Sequence, residues 1–219
     1  MTTSPPGSRL LDLVATMDRL RSPGGCPWDA RQTHLTLRRY LQEETYEVLE
    51  AIEAGDPAEL REELGDLLLQ VVFHARVAQE NPPAAGGFDI DDVAAAIVAK
   101  LVRRHPHVFA DDQLAADAPT EDLQRRWDAI KAQEKPRTSV LDGIPLALPA
   151  LARADKVLGR LQRNGIETPV AAQELSEEQV GAELLQLVRR AHAAGVDPEA
   201  ALRAATAALE ARARDAERA

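Results

Sequence analysis

Two runs of acidic residues carry the most chemistry in this sequence: Glu43-Glu44-Thr45-Tyr46-Glu47 and Glu62-Glu63-Leu64-Gly65-Asp66. Around the first, Leu37, Leu41, Val48 and Ile52 follow helical spacing and predict a buried stripe. Glu44 falls inside that stripe, and Glu47 lies one turn on, at its flank. Around the second run, Leu60, Leu64, Leu67, Val71 and Ala75 predict the stripe; Glu63 sits between Leu60 and Leu67, with Asp66 one turn on. Each helix therefore points an i, i+3 acid pair at or beside the core. The short Gly55-Asp56-Pro57 turn makes the two helices antiparallel neighbours, so four carboxylates can converge. At ~6 Å and an effective dielectric near 20, each like-charged pair costs about 3 kcal/mol. Such a group persists only with protons or cations between its members. Hard oxygen donors, with no Cys or His at the i+3 positions, favour Mg²⁺ or Mn²⁺ over zinc. Glu43, Glu50 and Glu59 lie off the stripe and read as solvated acids, and Glu62 fits either description.

Positive groups follow further along. Lys100, Arg103 and Arg104 close a helical segment, and Trp127 and Lys131 share a face at i, i+4. A tryptophan can stack on a base and the cations can bind phosphate oxygens. Each also has an ordinary role: cations suit a helix C-terminus, and tryptophan is commonly a core residue.

The elements that position these residues are helical. Ala and Leu are plentiful, aromatics make up 3% and β-branched runs are scarce. Helices are expected over about 8–21, 34–54 (with Gly55 as its C-terminal cap), 57–80 (opened by Asp56-Pro57), 90–104 (capped by Asp89) and from Pro119-Thr120 to about Glu134. A Pro-containing linker covers 136–149. Three more helices are expected in 150–219, with Ser176-Glu177-Glu178-Gln179 as a capping box and Asp197-Pro198 as another opening. Residues 9–135 hold every aromatic. In the tail, Gln179–Val188 weakly echoes Glu63–Val72, with Gly and Gln kept and both acids lost.

The chain has 219 residues, 45% hydrophobic and 28% charged, enough for one domain with a real core or two small ones. Its formal charge of −10 repels phosphate backbones, so nucleic-acid binding is not expected. One cysteine excludes an internal disulfide and a Cys-based zinc site. The N-terminus does not read as a signal peptide, no run reaches the ~20 apolar residues of a membrane helix, and the expected compartment is the cytoplasm.

Taken together, the blocks resemble the MazG-type nucleoside triphosphate pyrophosphohydrolases, whose pattern is EExxE followed by ExxD on antiparallel helices. Here it reads Glu43-Glu44-x-x-Glu47 and Glu63-x-x-Asp66. The flanking text is similar too: GCPWD at 25–29, Gln32-Thr33, LQEETYEVLEAI at 41–52, ELGDLLLQVVF at 63–73, RRHPHVFAD at 103–111, and Trp127 with Lys131. The resemblance covers about 9–135, the expected catalytic domain. It implies an all-α antiparallel bundle completed by homodimerisation. It also implies Mg²⁺, replaceable by Mn²⁺, held by Glu44, Glu47, Glu63 and Asp66. Lys100, Arg103, Arg104, Trp127 and Lys131 become nucleotide contacts, with Lys100 also holding the leaving phosphates. Glu43 or Glu47 becomes the group that orients the attacking water. The reaction implied is hydrolysis of (deoxy)nucleoside triphosphates to monophosphate and pyrophosphate, with broad base tolerance, in nucleotide-pool sanitation.

The tail departs from two-repeat relatives. Gln179 and Ala182 stand where acids are expected, so 150–219 reads as a degenerate second repeat that packs or dimerises. Two rivals are considered. A di-iron carboxylate bundle needs Glu-x-x-His pairs, which are missing here. A catalytically weak nucleotide-binding or regulatory helical dimer is the other.

Overall fold

The computed structural model describes residues 5, 7–110, 126, 127, 130, 138–166 and 174–218. Among the described residues all regular structure is helical, with eight α-helices, two 3-10 turns and no strand. The chain forms two compact units, Met1–Ala118 and Pro119–Ala219.

In the first unit, α1 spans Ser8–Arg21, α2 His34–Ala54, α3 Pro57–Ala78, α4 Ile90–Arg104 and α5 the single turn Pro106–Phe109. Local chemistry sets the ends. Thr33 caps α2 by accepting from the Thr36 N–H, while the Thr36 hydroxyl accepts from the Thr33 N–H. Gly55, at φ +69°, ends α2 in the left-handed region where a side chain would be strained. Asp56 accepts from the N–H groups of Ala58 and Glu59, and Pro57 supplies the first helical position of α3. Asp89 forms a capping box with Asp92 at the start of α4.

The core of this unit is Met17 from α1, Leu37 from α2, and Val72, Phe73 and Val77 from α3. Leu13, Val14, Leu20, Tyr40, Leu69 and Ile90 pack around it. One expectation needs correcting here. The two apolar stripes are not buried along their whole length: Ile52, Leu64 and Val71 are exposed, and besides the expected Ala75 α3 buries Gln70, Val72, Phe73, Val77 and Ala78. The physical reason is coverage. The residues of α1 in the core meet the part of α2–α3 far from the Gly55 turn, so apolar residues nearer the turn, Leu49, Ile52 and Leu64, lie beyond it.

A buried arginine ties α1 to its neighbours. Arg21 donates through Nε and Nη2 to the two carboxylate oxygens of Glu80 at 2.8 and 2.9 Å, and through Nη1 to the carbonyls of Asp29 and Gln32. The loop it holds also comes close to α1: a Cβ on Gly25 would lie 2.2 Å from the Leu20 carbonyl oxygen.

In the second unit, α6 spans Ala150–Arg163, α7 Glu177–Ala193 and α8 Pro198–Ala216, the three helices expected there. Ser176 and Gln179 make the expected capping box, and Asp197 caps α8 by accepting from Glu199 and Ala200. The core is Leu141, Ile144, Val157, Leu161 and Ala213. The segment where the fifth helix was expected belongs to this unit and lies mostly outside the described residues.

Candidate metal centre

The α2–α3 hairpin brings acids from both helices together. One carboxylate oxygen from each of Glu44, Glu63 and Asp66 lies within 4.8 Å of the others. Helical spacing explains this: Glu63 and Asp66 are one turn apart on α3, and Glu44 is near the middle of α2, which packs along it antiparallel. Glu44 and Glu63 are half-buried. Glu47 stands on the flank of the group and shares a hydrogen bond with Glu44. Glu43 is exposed and is not a member of the three. No second group of three or more metal-capable side chains occurs among the described residues.

The electrostatics are those of crowded acids. Glu44 is pushed up to about 7, first by burial, then by the hydrogen bond with Glu47 and the charges of Asp66, Glu47 and Glu63. Glu63 is raised in the same direction by desolvation and by Glu47, Asp66, Glu62 and Glu59. Three hard oxygen donors with no sulfur or nitrogen among them fit a divalent Mg²⁺- or Mn²⁺-type cation.

This arrangement sets a pH dependence. Glu44 rises from 4.5 to about 7, so between these values the folded chain keeps a proton that the unfolded chain has lost. Stability of the metal-free protein is therefore expected to fall as pH rises through that window. Glu44→Gln should flatten the slope, and Mg²⁺ should restore stability at the alkaline side. Melting curves across pH, with and without Mg²⁺, check this.

The other expected site residues are placed as follows. Lys100, Arg103 and Arg104 end α4, one turn apart, with Lys100 and Arg103 exposed and Arg104 half-buried. Helix α4 reaches the core at Ile90, and Ile97, Val98, Leu101 and Val102 remain exposed. Trp127 is half-buried and helical in the second unit, and Lys131 lies outside the described residues. Sequence reasoning missed two features near the hairpin: the Arg21 network and a pairing of His34 with His74. Both join residues far apart in the chain, and no spacing rule points to either.

Comparison with known proteins gives a consistent picture. The family model described as "MazG nucleotide pyrophosphohydrolase domain" matches residues 32–109, which include both acid runs and the end of α4. The chain is 54% identical over 201 residues to an "Uncharacterized 26.1 kDa protein in blaB 3'region" of Streptomyces cacaoi, covering 91% of this chain and 79% of that one. It is 43% identical over 233 residues to the "Nucleoside triphosphate pyrophosphohydrolase" of Escherichia coli, covering 94% and 86% respectively. A protein of the same name in Mycolicibacterium smegmatis is 48% identical over 181 residues; the alignment covers 81% of this chain but only 53% of that longer relative. No helix among the described residues is long and apolar enough to cross a membrane.

Proposed function

The chain belongs to the MazG nucleotide pyrophosphohydrolase family, and on that premise we propose that it hydrolyses nucleoside triphosphates to monophosphate and pyrophosphate at the α2–α3 acid group. The observation that carries this reading is the convergence of Glu44, Glu63 and Asp66 within 4.8 Å. These three hold a divalent cation, Mg²⁺ with Mn²⁺ as substitute, and Glu47 completes the ligand set from its place beside Glu44. A cation bound there neutralises phosphate charge and favours departure of pyrophosphate. Glu43 or Glu47, one turn apart on α2, orients the attacking water. Lys100, Arg103 and Arg104 at the end of α4 bind phosphate oxygens, and Trp127 with Lys131 contacts the nucleoside. Stacking without a hydrogen-bonding code tolerates many bases, which suits a role in cleansing the nucleotide pool. The exposed Tyr46, Leu49, Ile52 and Leu64 on the turn-proximal half of the hairpin support a homodimer in which a second copy covers them.

The test is a product-resolved screen of ribo-, deoxyribo- and damaged triphosphates with Mg²⁺. Monophosphate and pyrophosphate in equal amounts are expected from several bases, and release of single phosphate overturns the reaction type. A second reading, a catalytically weak nucleotide-binding or regulatory dimer, draws on the lack of any metal-capable acid group among the described residues of the second unit. Triphosphate binding without turnover in the presence of Mg²⁺ or Mn²⁺ would favour it.

A further inference from the structure

At the end of the α2–α3 hairpin far from Gly55, two histidines meet. The Nδ1 atoms of His34, at the start of α2, and His74, near the end of α3, are 2.7 Å apart. The rings are parallel within 1° and their centroids are 5.1 Å apart. The nitrogen separation makes up just over half of that centroid distance, and each ring's own radius supplies the rest. The rings therefore lie edge to edge, with one nitrogen aimed at the other, rather than face to face. This is the geometry of an N–H···N hydrogen bond, which needs one donor and one acceptor.

Either ring can supply the proton, and the other then accepts it. His34 is exposed, whereas His74 Nε2 is buried without a hydrogen-bond partner, as is Oε1 of Gln70, one turn earlier on α3 and only 5% exposed.

This bond sits where it can hold the acids in register. Ten residues of α2 separate His34 from Glu44 and eight of α3 separate His74 from Asp66, or about 15 and 12 Å of rigid helix. The Gly55 turn restrains the other end, so an axial slip of α2 on α3 must break the histidine bond. Because metal–oxygen bonds in such sites tolerate only tenths of an ångström, a slip of one helix past the other would spoil a ligand set drawn from both.

We propose that His34 and His74 are positioning residues of the metal centre, their shared hydrogen bond fixing the register of α2 on α3 that brings Glu44 to Glu63 and Asp66. The proposal rests on the metal-centre reading above. Its test is Mn²⁺ titration of the full chain, followed by the spin-resonance signal of free Mn²⁺. His34→Ala, at an exposed position, and His74→Ala are each expected to weaken Mn²⁺ binding about tenfold, no more than losing a group bonded directly to a ligand would cost. The double variant should be no weaker than either single one. His74→Asn, whose amide can present an acceptor or a donor toward His34, should recover most of the affinity. Folded variants with wild-type Mn²⁺ affinity, losses that simply add, or no rescue by Asn would overturn the clasp while leaving the metal centre intact. A wild-type chain that binds Mn²⁺ no better than Glu63→Gln would overturn both.

Discussion

Glu63→Gln is expected to lower turnover by about 10²- to 10³-fold, the effect of losing several kcal/mol of transition-state charge stabilisation. The amide keeps the volume of the side chain, so the change is close to isosteric. It removes one of three converging carboxylates and with it the negative charge that a divalent cation needs. The same change should act in the opposite sense on the metal-free protein. Glu63 is raised by desolvation and by the charges of Glu47 and Asp66, and it acts on Glu44 in turn, so neutralising it relieves repulsion within the group. Near neutral pH, metal-free Glu63→Gln should melt higher than the metal-free parent, and added Mg²⁺ should stabilise it less. Calorimetry with and without Mg²⁺, alongside product release, measures both. A variant that loses activity and stability together would mark Glu63 as a packing residue, and undiminished turnover would remove it from the site. Opposite movement of activity and stability is the mark of a residue kept for function.

Arg21→Ala is expected to cost about 3 kcal/mol of stability, the scale for removing one partner from a buried charged network. Its side chain is 3% exposed, bonded to both oxygens of Glu80 and to the carbonyls of Asp29 and Gln32, and it lies 5.5 Å over the Phe73 ring. Alanine removes the guanidinium donor from both carbonyls, leaving Asp29 only its bond from the Gln32 N–H, and opens space beside Phe73. Chemical unfolding should show the loss directly, and a cost under about 1 kcal/mol would show that water replaces the guanidinium without penalty. The partner gives a second measurement. The hydrogen bond from Arg21 is the main cause holding Glu80 below the usual carboxylate range; burial opposes it, and the charges of Arg21 and Arg76 assist. A depressed acid contributes stability that is present above its unfolded pKa and lost as pH falls through the folded one. In the parent, part of the stability should therefore fade in acid, and in Arg21→Ala that part should shrink to the share supplied by Arg76.

The helix ends were legible in the sequence because capping is local. Gly55, Asp56-Pro57, Asp89, Ser176 and Asp197-Pro198 each act on backbone groups within a few residues, and all five stand where their spacing places them. The acid group was legible for a related reason. Two i, i+3 pairs on helices joined by a tight turn have little choice but to approach each other. What periodicity misjudged was coverage. Ile52 and Leu64 carry the helical spacing of core residues yet are exposed, because burial depends on what packs opposite, and α1 meets only the part of the hairpin far from the Gly55 turn.

Tertiary structure alone decided the rest. Arg21 and Glu80 are 59 positions apart and His34 and His74 are 40 apart, and neither pair follows any local rule. The displacement of Glu44 to about 7 likewise needs the burial and the neighbouring charges that only the folded hairpin supplies. Composition and spacing determine which groups can bond to their own helix. Desolvation and contact between distant segments arise only once the helices have packed, and the electrostatics of the site follow from them.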